Sequence, residues 1–487
     1  MIDKQKQFRN TLWYLVPVIV GNAIPILTLP VFTRLLSVED YGIYALSLVY
    51  AIFINGISNF GLSVGYERNF FENKNDLQRA GLLYATLVFI IGTYLFSAAL
   101  TFIFRKPLSN LVIGSPKYGQ ILFIAYCATG MTALKTYFLT YFKNTGNAKL
   151  FVWYTIDENL TTVLFSWVMI RYFGMGVAGL LWGQLLASAI VFLLLSIRFL
   201  RKLPFHIDFT LLKSSLKLSL PLTPRIFFGV IGNQFDKYMI GLLNTVGGVG
   251  IYNLGQKVAN VTFTFMTAIQ NVFTPQVYSK MFNEGESGGL SIGRYLTPFL
   301  YVSVAGGLVL SLFAEELIII LTPVSYHGAI NIVTLFSLLY VTYFFGKQPQ
   351  LIYAKKTGIT SLLTLLSISL NIVINIPFIY LWGVEGAAWG SLVAGIISGS
   401  IAFRVSQKYF RIVWEYPKLL LILGSFFVFA LLSLALLKLQ ISYELRLIAK
   451  IGFLLIFALI GYRLKIVSRE NILLIKQSFT KANPINS

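Results

Sequence analysis

Charged side chains inside long apolar runs are the residues of this sequence that could do chemistry. They occur throughout the chain, at Lys135, Asp157, Glu158, Arg225, Asp236, Lys237, Lys257, Lys347 and Lys450. A charged residue at the centre of a bilayer costs about 2.5–3.5 kcal/mol or more, so it usually faces a protein interior or a water-filled cavity. These residues are therefore candidates for binding a charged substrate or for coupling to an ion.

Some of these charges could pair across helical hairpins. Asp236 and Lys257 each lie about eight residues from the turn between two runs, roughly 12 Å along a helix, and Lys135 and Asp157 stand in the same relation. Two buried ion pairs would then account for these four residues without any role in function. Because consecutive helical residues project about 100° apart, a pair between Lys135 and Asp157 would leave Glu158 without this partner. The alternative is that Asp157, Glu158 or Asp236 couples transport to protons or Na⁺.

The remaining intramembrane charges are cationic. Lys135 and Lys347 lie 212 residues apart, which is the offset of an internal repeat, and Arg225 and Lys237 add to the excess. Arginine binds phosphate through a bidentate fork and lysine binds it as a point charge. We therefore predict that these residues, with Lys257, line a cavity for an anionic headgroup. The alternative interpretation is that Lys135 and Lys347 snorkel, with their amines extended towards the membrane surface.

The elements that must position these residues are transmembrane helices. Of 487 residues, 56% are hydrophobic and only 12% are charged, and the mean hydropathy is +0.75. A soluble domain carries about 25% charged residues. Runs of the roughly 20 residues that cross a bilayer predict an all-α integral membrane protein of about fourteen spans. We place the spans at about 11–33, 43–66, 81–104, 119–142, 150–171, 174–197, 215–243, 249–279, 295–321, 328–350, 358–381, 384–407, 417–437 and 446–464.

The net charge of +21 indicates orientation and not nucleic-acid binding. The loops and tails on the side of the N-terminus carry roughly 26 Lys and Arg residues against roughly 7 on the other side, which predicts that both termini are cytoplasmic. Cys127 is the single cysteine and the two histidines match no ligand spacing, so we expect no disulfide framework, metal or other cofactor.

An internal repeat predicts two similar lobes. Gly42-Ile43-Tyr44 recurs 208 residues later from Gly250, and the stretch GLLWGQLLAS from Gly179 recurs 207 residues later as GAAWGSLVAG from Gly386. The offset covers six spans, an even number, so both copies have the same orientation and a pseudo-two-fold axis along the membrane normal. We expect an N-lobe at 1–200, a C-lobe at 201–411 and two further helices with a tail at 412–487. A cleft between two such lobes suits transport by alternating access.

Short motifs occur in both halves of the chain. They are Asn10-Thr11-Leu12-Trp13, the turn from Arg34-Leu35-Leu36 to Asp40-Tyr41-Gly42-Ile43-Tyr44, and in the second half Asp236-Lys237-Tyr238-Met239-Ile240-Gly241 followed by Gly250-Ile251-Tyr252-Asn253. Together these motifs resemble the polysaccharide transporter family, which implies a bacterial cytoplasmic membrane. The family belongs to the superfamily that also holds multidrug exporters, and fourteen helices are similar to the Wzx-type O-antigen flippases.

The resemblance implies a substrate. It would be an oligosaccharide on a polyprenyl pyrophosphate, moved from the inner to the outer leaflet as a repeat unit of O-antigen, capsule or exopolysaccharide. The implied partners are this glycan, membrane lipid and other polysaccharide assembly proteins. Arg34, which opens the first-half turn, is a further candidate for substrate binding.

Two other functions remain as alternatives. A cation-coupled exporter of drugs or metabolites would share the two lobes and would need carboxylates such as Asp157, Glu158 or Asp236. An enzyme is disfavoured, because the loops are short and no HExxH, P-loop or nucleophile motif occurs. We expect the outer carboxylates to be scattered; they are Glu39, Asp40, Glu315, Glu316, Glu385 and Glu444.

Overall fold

The computed structural model of the protein describes residues 20–73, 75–346, 348–468, 470, 471 and 473. Helices dominate, and no β-strand occurs among these residues. After a helical segment at 20–27, the first ten helices are α1 Leu29–Leu35, α2 Val38–Ser58, α3 Leu62–Glu72, α4 Asp76–Ile103, α5 Arg105–Ile113, α6 Gly119–Asn144, α7 Ala148–Arg171, α8 Gly176–Lys202, α9 Phe209–Ser219 and α10 Thr223–Leu243. The remaining eight are α11 Val246–Glu284, α12 Gly288–Leu312, α13 Ala314–Leu321, α14 Ala329–Thr342, α15 Pro349–Tyr353, α16 Thr357–Gln407, α17 Tyr416–Lys438 and α18 Tyr443–Arg463.

The helix lengths confirm an all-α protein that crosses a membrane many times. Nine stretches of the described chain are long and apolar enough to span, and two of them, Val246–Leu312 and Thr357–Gln407, have 67 and 51 residues, enough for two crossings each. The second of these turns back at Gly383, whose φ of 56° and ψ of −132° favour glycine, between the predicted spans 358–381 and 384–407. The predicted span 295–321 is too long, because α12 ends at Leu312 and α13 is a separate short helix.

Two further helices match predicted spans without being among the nine. α7 has 24 residues and α10 has 21, which at 1.5 Å per residue is enough for the hydrocarbon core. Asp157, Glu158 and Asn159 lower the hydropathy of α7, and polar residues do the same for α10. The predicted first span, 11–33, lies partly outside the described residues.

Contacts between Cα atoms divide the chain into two compact units, Met1–Asn253 and Leu254–Ser487. The core of unit 1 is aromatic where α3, α6 and α8 meet. The ring centroids of Tyr66 and Tyr137 lie 5.4 Å apart, and those of Phe138 and Phe199 lie 4.8 Å apart. Burial of such large side chains holds the helices together and so fixes the polar groups that they carry.

Within unit 1, the first turn of α11 crosses α2 at the repeated Gly-Ile-Tyr motif. A Cβ atom added at Gly42 would overlap the carbonyl of Val246, and one added at Gly250 would overlap the carbonyl of Val38. Gly42 is equivalent to Gly250 and Val38 to Val246, each at an offset of 208 residues, so equivalent positions exchange their contacts, as at a two-fold axis. Ser37 and Asp40 start α2 with a capping box. The motif thus encodes a helix start followed by a close backbone crossing.

The Trp-Gly repeat also marks equivalent packing in each unit. A Cβ at Gly183 of α8 would overlap Ser166 of α7, and one at Gly390, in the second half of α16, would overlap Asn375 in the first half. Each glycine lies next to a tryptophan and lets two antiparallel helices approach closely. The two halves of the sequence therefore build the same kind of hairpin, as the repeat predicts.

Candidate functional site

A buried ion pair inside the membrane-spanning part of unit 1 joins α6 to α7. The ammonium of Lys135 forms an ion pair with the carboxylate of Glu158, and the two residues are only 3% and 7% exposed. The Ser188 hydroxyl of α8 donates a hydrogen bond of 2.7 Å to the second carboxylate oxygen. Three helices therefore share one buried, charge-compensated centre, which is how a buried charge is tolerated in a low dielectric.

Hydroxyl and amide groups extend this centre along α6 and α8. The hydroxyls of Thr132 and Ser188 lie 2.8 Å apart, and the Gln184 amide donates to Thr132 at 3.5 Å. Every member of this network lies on a helix in the interior of unit 1. We name Lys135, Glu158, Ser188, Thr132 and Gln184 the unit 1 polar network.

The predicted pairing of Lys135 with Asp157 is wrong. Glu158 is the partner, and Asp157 is exposed on the other side of α7. The reason is rotation: adjacent helical residues project about 100° apart, so only one of two neighbouring carboxylates can face α6. The snorkelling interpretation also fails for Lys135, because its amine is held inside the unit and not at a membrane surface.

A second polar group forms at the hairpin of α10 and α11. The Tyr252 hydroxyl donates to an Asp236 carboxylate oxygen at 2.9 Å, and the Lys237 amine donates to the Gln234 side-chain oxygen at 3.1 Å. Asp236 and Lys237 are 8% and 9% exposed. The Asp236-Lys237 and Gly-Ile-Tyr motifs of the second half are thus joined by a buried hydrogen bond.

The other predicted site residues lie apart from these two groups or outside the description. Lys257 lies in α11 within unit 2 and is half-buried, and its pairing with Asp236 stays a prediction. Arg34 is exposed and donates to the carbonyl of Pro30 at 2.7 Å. The side chain of Arg225 and all of Lys347 fall outside the described residues.

Unit 2 contains a charge cluster that was not predicted from the sequence, because the outer carboxylates were expected to be scattered. Glu315 accepts hydrogen bonds from Arg446 at 2.5 Å and from Lys450 at 2.6 Å, and Lys450 also donates to Glu316 at 2.7 Å. Burial raises the pKa of Glu315, but the bonds from Arg446 and Lys450 outweigh it and hold the pKa below its usual range. This Glu315 cluster fastens α18 to α13.

A related contact fastens α17. Glu385, next to the bend in α16, pairs with Lys438 at 2.9 Å and accepts a bond from the Asn331 amide at 3.1 Å. The sequence contained one signal for the Glu315 cluster. Arg446 and Lys450 are four residues apart, so they lie on one face of a helix and can bind an acceptor pair such as Glu315-Glu316 together.

Among the described residues, no group of three or more His, Cys, Asp or Glu side chains is arranged to hold a metal ion. The polar groups of both units offer hydrogen bonds and paired charges.

These features define a multi-pass helical membrane protein whose two halves share repeated sequence motifs. The chain belongs to the polysaccharide biosynthesis protein family, whose profile matches residues 8–281. Over 198 residues it is 22% identical to the probable low-salt glycan biosynthesis flippase Agl15 of Haloferax volcanii, in a match that covers 39% of this chain and 42% of Agl15. The chain therefore spans less than half the length of this relative.

Solved structures show the same fold. The lipid II flippase MurJ in an inward closed conformation has a TM-score of 0.68 at 15% identity, and covers 94% of this chain and 99% of its own. A multidrug resistance MATE family transporter of the MOP superfamily, inward-facing, has a TM-score of 0.55 at 15% identity, and covers 82% of this chain and 97% of its own.

Proposed function

We propose that the protein is a flippase that moves a lipid-linked oligosaccharide across the membrane. The observation that carries the proposal is the burial of charged side chains, Asp236 and Lys237 above all, inside helices of a fold shared with a lipid II flippase over 94% of the chain. Such charges are expensive in a bilayer and mark a substrate or ion pathway. The name of Agl15 and membership of the polysaccharide biosynthesis protein family support a glycan as the cargo.

The finer proposal concerns the headgroup. Arg225, Lys237, Lys257 and Lys347 would bind the pyrophosphate of a polyprenyl-linked repeat unit of O-antigen, capsule or exopolysaccharide, with Arg34 at the end of the pathway. Lys135 was predicted to join them. Its charge is compensated by Glu158, so a phosphate would have to compete with this carboxylate for the ammonium.

Alternating access between lobes 1–200 and 201–411 is the proposed mechanism. The crossing of α2 and α11 at Gly42 and Gly250 supports it, because reciprocal contacts at a pseudo-two-fold axis can separate and re-form symmetrically. With cytoplasmic termini in a bacterial cytoplasmic membrane, the crossing lies towards the outer face, where it would close the pathway. Asp236, Glu158 and the exposed Asp157 are the proposed residues for coupling to protons or Na⁺.

The test uses purified protein in liposomes that contain a polyprenyl-pyrophosphate oligosaccharide, with a membrane-impermeant reagent that reports the exposed sugar. We expect protein-dependent exposure of the inner pool, reduced by Lys237→Ala and by Arg225→Ala. Arg201→Ala is the matched control, because Arg201 is an exposed cation at the end of α8. It should flip as the wild type does.

The same liposomes decide between the two candidate functions. If the exposure of the sugar equals that in protein-free liposomes for several glycans, and a gradient drives uptake of a small organic cation, the protein is an exporter and not a flippase. Normal flipping by both cation variants at wild-type expression would contradict the headgroup proposal. Neutralising Asp157, Glu158 and Asp236 together without loss of concentrative transport would contradict the coupling proposal.

A further inference from the structure

A cavity of about 480 Å³ lies within unit 2, and its lining residues Gly346 and Gln348 flank Lys347, a proposed headgroup residue, in the sequence. Its walls come from the end of α14, from both halves of α16 and from α17, whose residues Leu423 and Phe427 close one side. This volume lies in the range of small-molecule sites, about 300–1,000 Å³. The walls belong to the helix ends that the charge distribution assigns to the cytoplasmic half of the bilayer.

One wall carries a stripe of hydroxyl groups. Thr360, Thr364 and Ser367 are spaced by four and three residues and so lie on one face of α16, over about 10 Å of its length. Ser367 donates to Ser398 of the second half at 3.1 Å. The Thr360 hydroxyl is buried and has no hydrogen-bond partner within the described protein. A buried polar group without a partner is costly, so the site is suited to a ligand that supplies acceptors at this depth.

The opposite side of the cavity is aromatic. Phe345 and Phe403 pack edge to face with ring centroids 5.8 Å apart, and Trp414 packs on Phe345 at 5.3 Å. Phe345, Phe403 and Phe427 line the cavity as an apolar wall, and the packing of Trp414 on Phe345 helps to fix its geometry. Such a wall accepts a hydrocarbon chain.

Four basic residues lie next to the cavity's lining residues in the sequence, at the two ends of α16. Lys356 lies one helical turn before Thr360, Arg404 follows Phe403, and Lys355 and Lys408 lie beside them. All four are exposed, and none forms an ion pair with a described residue. Basic groups between transmembrane helices at the cytoplasmic side are suited to anionic lipid headgroups.

We propose that this cavity binds an anionic glycerophospholipid. The phosphate lies at Lys356 and Arg404, the glycerol ester region accepts hydrogen bonds from Thr360, and one acyl chain lies against Phe403 and Phe427. The order of these groups decides between anionic amphiphiles. Below its phosphate a glycerophospholipid carries ester oxygens, which match the hydroxyl stripe, whereas a polyprenyl phosphate continues at once as hydrocarbon. The hydroxyl stripe below the basic residues therefore favours a glycerophospholipid over the polyprenyl carrier of the glycan.

The test measures lipid binding to the delipidated full-length protein by native mass spectrometry, with phosphatidylglycerol, phosphatidylethanolamine and a polyprenyl phosphate as probes. Gly399→Phe should fill the cavity, because Gly399 lines it and a Cβ there meets nothing within 4 Å. Gly424→Phe on α17 is the matched control, since a Cβ there also meets nothing within 4 Å and the residue does not line the cavity. We expect about tenfold weaker phosphatidylglycerol binding for the first variant, a loss of about 1.4 kcal/mol, and an unchanged affinity for the second.

Two milder variants keep the test decisive if the bulky substitution prevents folding. Thr360→Val removes the buried hydroxyl without changing its shape, and Lys356→Gln with Arg404→Gln removes the charge; each should weaken phosphatidylglycerol binding. Equal binding of phosphatidylethanolamine would overturn the anionic assignment. Displacement of phosphatidylglycerol by stoichiometric polyprenyl phosphate would assign the cavity to the glycan carrier instead. Equal affinities of the Gly399 and Gly424 variants, or no retained lipid at all, would overturn the site.

Discussion

Replacing Glu158 by glutamine should strongly destabilise unit 1, because it leaves the Lys135 ammonium buried without a counter-charge. The two residues are 3% and 7% exposed, so water cannot compensate either charge. Breaking a buried ion pair by removing one partner costs about 3–5 kcal/mol. At about 2–4 °C per kcal/mol for a unit of this size, the midpoint of thermal unfolding should fall by roughly 6–20 °C. Lys135→Met should act similarly, because it leaves the carboxylate unpaired.

The double variant Lys135→Met/Glu158→Gln should recover most of this loss. It removes both charges, and the glutamine oxygen still accepts the hydrogen bond from Ser188. Replacement of a whole buried pair is often neutral, so we expect its midpoint within about 4 °C of the wild type. The non-additivity of the two single variants then measures the coupling between the charges.

The assay is thermal unfolding of the purified protein in detergent, with Asp157→Asn as control. Asp157 is the neighbouring carboxylate but is exposed, so its neutralisation should change stability by no more than about 0.5 kcal/mol. The reasoning fails if Asp157→Asn lowers the midpoint as much as Glu158→Gln, or if the double variant melts no higher than the singles. A stable double variant that flips normally assigns the pair to folding, and one that no longer flips assigns it to transport.

Three further predictions concern the other contacts. Gly42→Ala and Gly250→Ala should each cost about 1–3 kcal/mol by overpacking the helix crossing, while Gly247→Ala, whose Cβ would meet only Val38 at 3.7 Å, should be nearly neutral in the same unfolding assay. Tyr252→Phe removes the donor to Asp236 and should cost about 1–3 kcal/mol; an unchanged midpoint would show that this hydrogen bond is replaceable. The lowered pKa of Glu315 means that its ion pairs stabilise the protein above the ordinary glutamate pKa of about 4.3 and that this stability is lost as the pH falls through the lowered value. Between pH 6 and pH 3 the wild type should therefore lose more stability than Glu315→Gln, and equal losses would contradict the assignment.

The helices were predictable because lipid imposes a length on them. About 20 apolar residues must occur for each crossing, and glycine marks the sharp reversals, as Gly383 does between two predicted spans. The internal repeat was predictable for a related reason. Gly42 and Gly250 lie where two backbones touch, and no other side chain fits there. Motifs of this kind occur where helices pack closely, so they identify the fold but not the residues that contact substrate.

The rotation of each helix about its axis was not predictable. In water the polar face of a helix points outward, but in a bilayer the lipid-facing and protein-facing sides are both apolar. The sequence of α7 therefore gave no reason to choose Glu158 over Asp157 as the partner of Lys135. Contacts between distant residues were hidden as well. Lys450 and Glu315 are 135 residues apart, and only the packing of α18 on α13 brings them together.

An intramembrane charge has two possible meanings, and the structure separates them by partner. Lys450 was a candidate for the interior pathway, yet Glu315 and Glu316 hold it in place, and its role is to fasten the last helix. Lys135 has a partner within its own unit in the same way. A pair that serves the fold can be removed as a pair at little cost, whereas a cation that binds substrate cannot be removed at all without loss of transport. Removing only Lys450 and Glu315 would take these partners from Arg446 and Glu316, so the comparison is made at Lys135 and Glu158. Matched single and double neutralisations of that pair distinguish a charge that serves folding from one that serves transport, which a single alanine substitution cannot do.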